Sequence, residues 1–196
     1  PCCRGHEGCV SLFFSGCPIR CEVNPQCGRE KELKLVKTNN SQNVVIIGGG
    51  VAGMEAARYG SEVGHKMTLI EKTNELGGHF IEATKPTFKE DHKRVLDWLK
   101  TQVKKSNTKV MMNTEATPEL IKELNPDAVI IATGSHYTSI PVSGIEKAIT
   151  PDVAIKREVP IGHKVVVIGG GLVGSEVALD LGNEGKDVTI IEMLPA

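Results

Sequence analysis

The stretch Val44-Val45-Ile46-Ile47-Gly48-Gly49-Gly50-Val51-Ala52-Gly53 runs from a β-branched segment directly into a glycine-rich turn. Four consecutive β-branched residues are typical of a buried strand. The glycines at positions 48, 50 and 53 have the spacing G-x-G-x-x-G, and a helix is predicted over about 52–62. A second strand is predicted over 67–71, so this part of the chain forms a β-α-β unit.

Each glycine in this spacing has a physical role in a dinucleotide-binding turn. Gly48 permits the reversal between strand and helix, Gly50 lets backbone amides approach a pyrophosphate, and Gly53 lets helix and strand pack closely. Glu71 ends the second strand, 23 positions after Gly48. Its carboxylate is predicted to accept hydrogen bonds from both ribose hydroxyls and to repel a 2′-phosphate. Together these features favour a dinucleotide site over a plain turn.

The same pattern occurs again near the end of the chain. A β-branched strand leads into Gly169-x-Gly171-x-x-Gly174, and Glu192 ends the strand that follows the predicted helix. Gly169 lies 121 residues after Gly48, and this offset holds as far as Glu192. Such a duplication predicts two dinucleotides in one chain, as in a hydride relay from a nicotinamide to a flavin.

The residues that follow each copy indicate which cofactor it holds. Leu76-Gly77-Gly78 and Thr133-Gly134 supply small residues along which an elongated ligand such as FAD can lie. FAD is therefore predicted at the first copy and NADH at the second, with Glu192 on the adenosine ribose. The predicted cofactor-binding residues are Gly48, Gly50, Gly53, Glu71, Lys72, Gly77, Gly78, Thr133, Gly134, Gly169, Gly171, Gly174 and Glu192.

The alternation of strands and helices predicts an α/β fold, a Rossmann-like doubly wound parallel sheet of the two-dinucleotide flavoprotein type, after an irregular cysteine-rich segment. Residues 1–42 are expected to form the cysteine-rich segment and a linker, and 43–145 the first part of an FAD-binding domain. Residues 146–196 are expected to begin an NAD(H)-binding domain that is cut short. The chain is thus predicted to be part of something longer.

Composition excludes several classes of function. All six cysteines lie within the first 27 residues, which argues against a secreted disulfide scaffold and favours a metal or cluster site in a cytoplasmic protein. A net charge of −1 provides no basic surface for nucleic acid. The apolar runs are far shorter than the roughly 18 residues that a membrane helix needs, so no membrane contact is predicted.

These motifs resemble the family of 2,4-dienoyl-CoA reductase, 2-enoate reductase and trimethylamine dehydrogenase, the NADH:flavin oxidoreductases related to old yellow enzyme. The likeness includes both fingerprints and the head, with Cys9, Gly16, Pro18 and Cys21-x-Val23-Asn24-Pro25-x-x-Gly28-Arg29-Glu30. The resemblance implies that an FMN barrel precedes this region and that a 4Fe-4S cluster lies between them. It also implies electron transfer from NADH through FAD and the cluster to FMN, where an activated C=C bond is reduced.

The resemblance also implies metal ligands at Cys2, Cys9 and Cys21. The family's pattern places its remaining ligand at position 5, where this chain has Gly5. Glycine cannot coordinate iron, so the cluster is in doubt. Substitution by Cys3 or His6, a three-cysteine cluster with an outside ligand, zinc, and the absence of a stable cluster are the alternatives.

No catalytic acid, base or nucleophile is predicted from the sequence. The histidines are expected at the surface or with satisfied hydrogen bonds, and His79, directly after Gly78, is the one candidate for a place near the flavin. The parent protein is expected to be an NAD(P)H-dependent flavin oxidoreductase, and this part alone is expected to be inactive on substrate. Two other functions stay open: a module that binds ADP without hydride transfer, and the reductase subunit of a glutamate-synthase-like enzyme. Assembly into a homo-oligomer also stays open.

Overall fold

The computed structural model describes residues 2–138 and 140–194, and the chain divides into two compact units. The first comprises Pro1–Ile81 and Asp91–Gly134, and the second comprises Glu82–Glu90 and Ser135–Ala196. The described strands are β1 (Asn43–Ile47), β2 (Lys66–Ile70), β3 (Lys109–Met111), β4 (Ala128–Ile131), β5 (Lys164–Ile168) and β6 (Asp187–Ile191). The described helices are α1 (Leu12–Phe14), α2 (Val51–Val63), α3 (Phe80–Ala83), α4 (Glu90–Lys105), α5 (Pro118–Leu124), α6 (Pro151–Lys156) and α7 (Leu172–Asn183). Glu7–Ser11 form a π-helical turn, and Thr87–Lys89 and Ile145–Lys147 form 3₁₀ turns.

The first unit is built on a parallel sheet with the strand order β3-β2-β1-β4. Val44 of β1 pairs with Met67 of β2 on one side and with Ala128 of β4 on the other. Parallel neighbours require crossover connections, and the helices between these strands supply them. The predicted α/β fold with a parallel sheet is therefore confirmed.

Helix α4 packs against the sheet of the first unit through its apolar residues. On α4 the residues Val95, Leu96, Leu99 and Val103 are buried in the same core as β1 and β2. Burial of each such side chain contributes about 1.5–3 kcal/mol, more than the few tenths that helix propensity supplies per residue. Trp98 is partly buried against this core.

The second unit repeats the beginning of the first on a smaller scale. Strands β5 and β6 pair in parallel. Helix α7 packs through Val177 and Leu181, which form a core with Ala154 of α6.

One strand was not predicted from the sequence. Strand β3 has three residues and pairs with β2, so that Lys109 lies beside Thr68 at the edge of the sheet. A strand this short carries too little alternation to be recognised by pattern. Within residues 2–138 and 140–194, none of the helices combines the length and apolarity needed to cross a bilayer.

Candidate functional site

The first glycine turn lies at the carboxyl end of β1, where the strand order reverses, with β2 on one side of β1 and β4 on the other. Gly48 has a φ of 107°, a conformation that glycine adopts without strain, and its N–H donates to the Ile70 carbonyl at 2.8 Å. A Cβ built on Gly53 would overlap the Gly48 carbonyl oxygen, so α2 can start this close to β1 only with glycine there. In open parallel sheets, ligands bind where the strand order reverses in this way.

Two further predicted segments meet this turn. The Gly77 N–H donates to the Gly49 carbonyl at 2.8 Å, and a Cβ on Gly78 would lie 3.2 Å from the Gly50 Cα. A Cβ on Gly48 would lie 3.2 Å from the Thr133 Cα. The structure thus brings the three segments together at one edge of the sheet.

Glu71 is buried behind the turn and is held by three hydrogen bonds. Its Oε2 accepts from the Gly49 N–H at 2.7 Å, and its Oε1 accepts from the Thr73 N–H at 2.8 Å and the Thr73 hydroxyl at 2.9 Å. Burial alone would raise the pKa of Glu71, but these hydrogen bonds and the charge of Lys72 outweigh it and lower the pKa. The carboxylate therefore stays ionised and fixed in place.

The three hydrogen bonds to Glu71 limit how many further hydrogen bonds its carboxylate can accept from a ligand. A carboxylate has about four acceptor positions, and the Gly49 and Thr73 donors use three of them. One position remains, on Oε2, and the binding of the ribose hydroxyls by Glu71 stays a prediction. Thr73 is the residue that sequence reasoning missed, although a threonine two positions after a strand-end acid is a familiar local hydrogen-bonding pattern.

The second turn reproduces the geometry of the first. Gly169 has a φ of 104°, and the Gly170 N–H donates to Glu192 Oε2 at 2.7 Å. The backbone N–H groups of Met193 and Leu194 donate to Oε1 at 2.7 and 2.9 Å. The Leu194, Gly170 and Met193 amides, in that order, lower the pKa of Glu192. A Cβ on Gly174 would overlap the Gly169 carbonyl, as in the first copy.

The turns also leave the space that a dinucleotide needs. No atom of the described chain lies within 4 Å of a Cβ built on Gly50 or on Gly171, so both turns are open on the side that faces a ligand. Lys72, His79, Thr133 and Gly134 are exposed along the first turn's edge. The residues present therefore fit FAD or a nicotinamide dinucleotide.

Two cavities lie elsewhere in the first unit. One of about 640 Å³ is lined by Asn43, Lys66 and Lys109 at the amino ends of the strands, the edge opposite the glycine turn. Ligands of parallel sheets bind at the carboxyl ends, so we assign the site to the glycine edge despite the size of this cavity. The second, about 500 Å³, is lined by Cys2, Cys21 and neighbouring residues.

The predicted metal ligands lie in the cysteine-rich head. Cys2 and Cys9 are exposed, and Cys21 is half-buried. In residues 2–138 and 140–194, no three His, Cys, Asp or Glu side chains are already positioned to hold a metal ion. A Cβ on Gly5 would overlap the carboxylate of Glu22. The head therefore does not fit a cluster held by four cysteines.

A parallel sheet with a glycine turn and a strand-end acid, present twice in one chain, defines a flavoprotein of the two-dinucleotide class. The chain belongs to the pyridine nucleotide-disulphide oxidoreductase family, whose model matches residues 21–117 and 42–196. This membership indicates binding of FAD and NAD(P)H.

Relatives of this chain are oxidoreductases. Cinnamate reductase of Clostridium sporogenes is 42% identical over 193 residues, which are 98% of this chain and 29% of the relative. NADH oxidase of Thermoanaerobacter brockii is 38% identical over 98% of this chain and 31% of its own length. The structure of a 2-naphthoyl-CoA reductase matches with a TM-score of 0.88 and 31% identity, over 94% of this chain and 29% of that one. The resemblance to flavin-dependent enoate reductases is confirmed, and the chain spans less than a third of each relative.

Proposed function

We propose that this chain is the dinucleotide-binding part of a longer NADH-dependent flavoenzyme that reduces an activated C=C bond. The first turn holds FAD and the second holds NADH. When both are bound, they supply hydride transfer from the nicotinamide to the flavin, and a barrel with FMN elsewhere in the longer protein holds the substrate. Relatives named as reductases of cinnamate and 2-naphthoyl-CoA support this substrate class.

The observation that carries the proposal is the pair of matching turns, with a glycine segment packed against the first. Both have the same hydrogen bond from the turn to the acid, at 2.7 Å. A second glycine segment lies against the first turn, through the bridge between Gly50 and Gly77. A run of small residues beside the turn suits FAD, which extends beyond its pyrophosphate.

The carboxylates of Glu71 and Glu192 bind and orient the adenosine ends in this proposal. Each is preorganised by backbone amides, so little reorganisation is required when a ribose hydroxyl replaces water. A negative charge at this place opposes a 2′-phosphate, which favours NADH over NADPH. The six free cysteines support a reducing compartment such as the cytoplasm.

The test uses Gly50→Ala and Gly171→Ala, because a Cβ at either position meets no atom of the described chain and the fold is expected to survive. Bound nucleotide is released and identified for each variant, and NADH is titrated into the purified chain. We expect Gly50→Ala to lose at least tenfold in FAD affinity and to keep NADH binding. Gly171→Ala is expected to show the reverse.

Two outcomes would contradict the proposal. Equal effects of the two variants on both ligands would show that the turns do not divide the cofactors as stated. Release of ADP in place of FAD from the unmodified chain would favour the alternative of a nucleotide-binding module without hydride transfer.

A further inference from the structure

The cavity at the amino ends of β1, β2 and β3 has a positively charged lining. Its volume of about 640 Å³ is within the range of small-molecule sites. Lys37, Lys66 and Lys109 line it together with His65, and among the described residues its lining contains no aspartate or glutamate. Acidic residues slightly outnumber lysine and arginine in the whole chain, 24 to 23, so this local excess of positive charge does not follow from composition.

The register of the sheet places two of these lysines on one face. Lys66 begins β2 and pairs with Asn43 of β1, and Lys109 begins β3 and pairs with Thr68 of β2. Side chains of paired residues point to the same face, and so do those of Lys66 and Thr68, which are two positions apart. The Cα atoms of Lys66 and Lys109 therefore lie about 8 Å apart, close enough for both long side chains to reach one anion.

The ion pairs of the described chain use other lysines. Those that form ion pairs within residues 2–138 and 140–194 are Lys89, Lys100 and Lys156, and none of them lines the cavity. Asp127 directly precedes β4 at the same edge, and its Oδ2 accepts a hydrogen bond from the Asn43 N–H at 2.7 Å. Its single carboxylate cannot neutralise three ammonium groups, so the cavity keeps a net positive charge.

The helices that end beside this cavity are already capped. After α2, the Gly64 carbonyl accepts a hydrogen bond from the Ser41 hydroxyl at 2.7 Å. Near the end of α4, the Val103 carbonyl accepts one from the Ser106 hydroxyl at 2.7 Å. Lysines near a helix end commonly bond to its last carbonyls. Because these carbonyls have other donors, capping of the helices does not account for the lysines of the cavity.

Neutral hydrogen-bond donors line the cavity beside the lysines. His65 Nδ1 accepts a hydrogen bond from the Gln42 N–H at 3.2 Å, so the neutral ring carries its proton on Nε2. Asn43 and Asn107 contribute side-chain amides, and Ser61 contributes a hydroxyl. Ammonium, amide, hydroxyl and imidazole groups all donate hydrogen bonds, which suits a ligand made of acceptor oxygens.

We propose that this cavity binds a phosphate-bearing anion through the ammonium groups of Lys37, Lys66 and Lys109, with the neutral donors bonding to the remaining phosphate oxygens. Lysine binds phosphate as a compact point charge on a flexible stem, which fits three exposed side chains around one cavity. The site lies at the edge of the sheet opposite the first glycine turn and shares no residue with it. It therefore goes beyond the proposed function and gives the first unit a second ligand.

The experiment titrates the isotope-labelled full chain with sodium pyrophosphate and follows the backbone amide signals by nuclear magnetic resonance. Ionic strength is held constant, so that general screening of charges does not change during the titration. We expect the signals of Lys66, Asn107 and Lys109 to shift and to saturate with one dissociation constant. The signals of Gly50 and Gly171 report separately on the dinucleotide turns, so failure of this proposal is distinguishable from failure of the proposed function.

Two pairs of substitutions test the lysines. Lys66→Gln combined with Lys109→Gln removes two of the three ammonium groups and is expected to weaken pyrophosphate binding at least tenfold. Lys31→Gln combined with Lys93→Gln is the matched control, because it removes the same charge from exposed positions outside the cavity. The control pair should change the dissociation constant less than twofold. Unchanged amide signals outside the cavity check the fold of each variant.

Adenosine monophosphate in place of pyrophosphate identifies the source of the phosphate. Saturation of the same amides supports the proposal with a nucleotide as the ligand, whereas saturation by pyrophosphate alone supports it with the free anion. Three results would overturn the inference: shifts at the cavity that do not saturate, equal affinity for the carboxylate anion citrate, and equal weakening by the control pair. Any of these would show that the lysines only form a solvated, positively charged surface.

Discussion

Replacing Glu71 with Gln tests whether the strand-end acid stabilises the first turn as its hydrogen bonds indicate. The carboxylate accepts three hydrogen bonds and is 7% exposed. Glutamine has one acceptor oxygen, and its NH₂ group would face a backbone N–H of either Gly49 or Thr73. One charge-assisted bond is lost and one buried donor is left unpaired, so we expect a loss of about 2 kcal/mol in the free energy of unfolding.

Trp98 makes the measurement specific to one unit. It is the single tryptophan of the chain and lies in the first unit, so its fluorescence during urea unfolding reports on that unit alone. Glu71→Gln should lower the midpoint with little change in the slope. Glu192→Gln, the matched change in the second unit, should leave the Trp98 transition where it is. Equal shifts from both variants, or none from Glu71→Gln, would refute the reasoning.

The same variant has a defined pH dependence. Hydrogen bonds hold the pKa of Glu71 below its ordinary value of 4.5 in the folded state. The unfolded chain therefore takes up a proton first as the pH falls below that value, and the stabilisation is lost as the pH drops through the folded pKa. The difference in stability between the unmodified chain and Glu71→Gln should be full at neutral pH and should shrink below about pH 4.5. A difference that is constant down to pH 3 would contradict this.

The remaining predictions concern packing and the ion pair between Lys156 and the buried Glu82. Gly53→Ala should lower the Trp98-monitored stability by at least about 2 kcal/mol, because its Cβ would overlap the Gly48 carbonyl and push α2 from β1; an unchanged midpoint would contradict this. Lys156→Met should cost the second unit about 2 kcal/mol by leaving the buried carboxylate of Glu82 without its partner. Glu82→Gln combined with Lys156→Met should recover much of that loss in thermal unfolding followed by circular dichroism.

Much of the site could be predicted because its requirements are local. A β-branched run, a glycine spacing and a strand-end acid lie within about 25 residues of one another. Each acts through local backbone conformation, so it can be interpreted without knowledge of the rest of the fold. The 121-residue offset then predicted a second turn, and the structure shows the same φ and the same bond to the acid in both copies. The bounds of α2 differ from the predicted ones by one residue at each end.

The features that the sequence did not predict depend on contacts that leave no periodic pattern in the sequence. Strand β3 exists because β2 offers it an edge, and its three residues carry no pattern of their own. The use of Thr73 as a donor to Glu71 depends on how the chain turns after β2. The contact of Glu22 with Gly5 joins two irregular segments 17 positions apart, where neither helix nor strand spacing applies.

The sequence by itself therefore determined the class of this protein, an α/β flavoprotein with two dinucleotide turns, because glycine spacing and β-branched runs act through local backbone conformation. Only the tertiary structure decided how many acceptor positions Glu71 keeps for a ligand and what fills the place of the missing cysteine. Both depend on which groups the fold brings within hydrogen-bonding or van der Waals distance, and that is settled by packing in three dimensions.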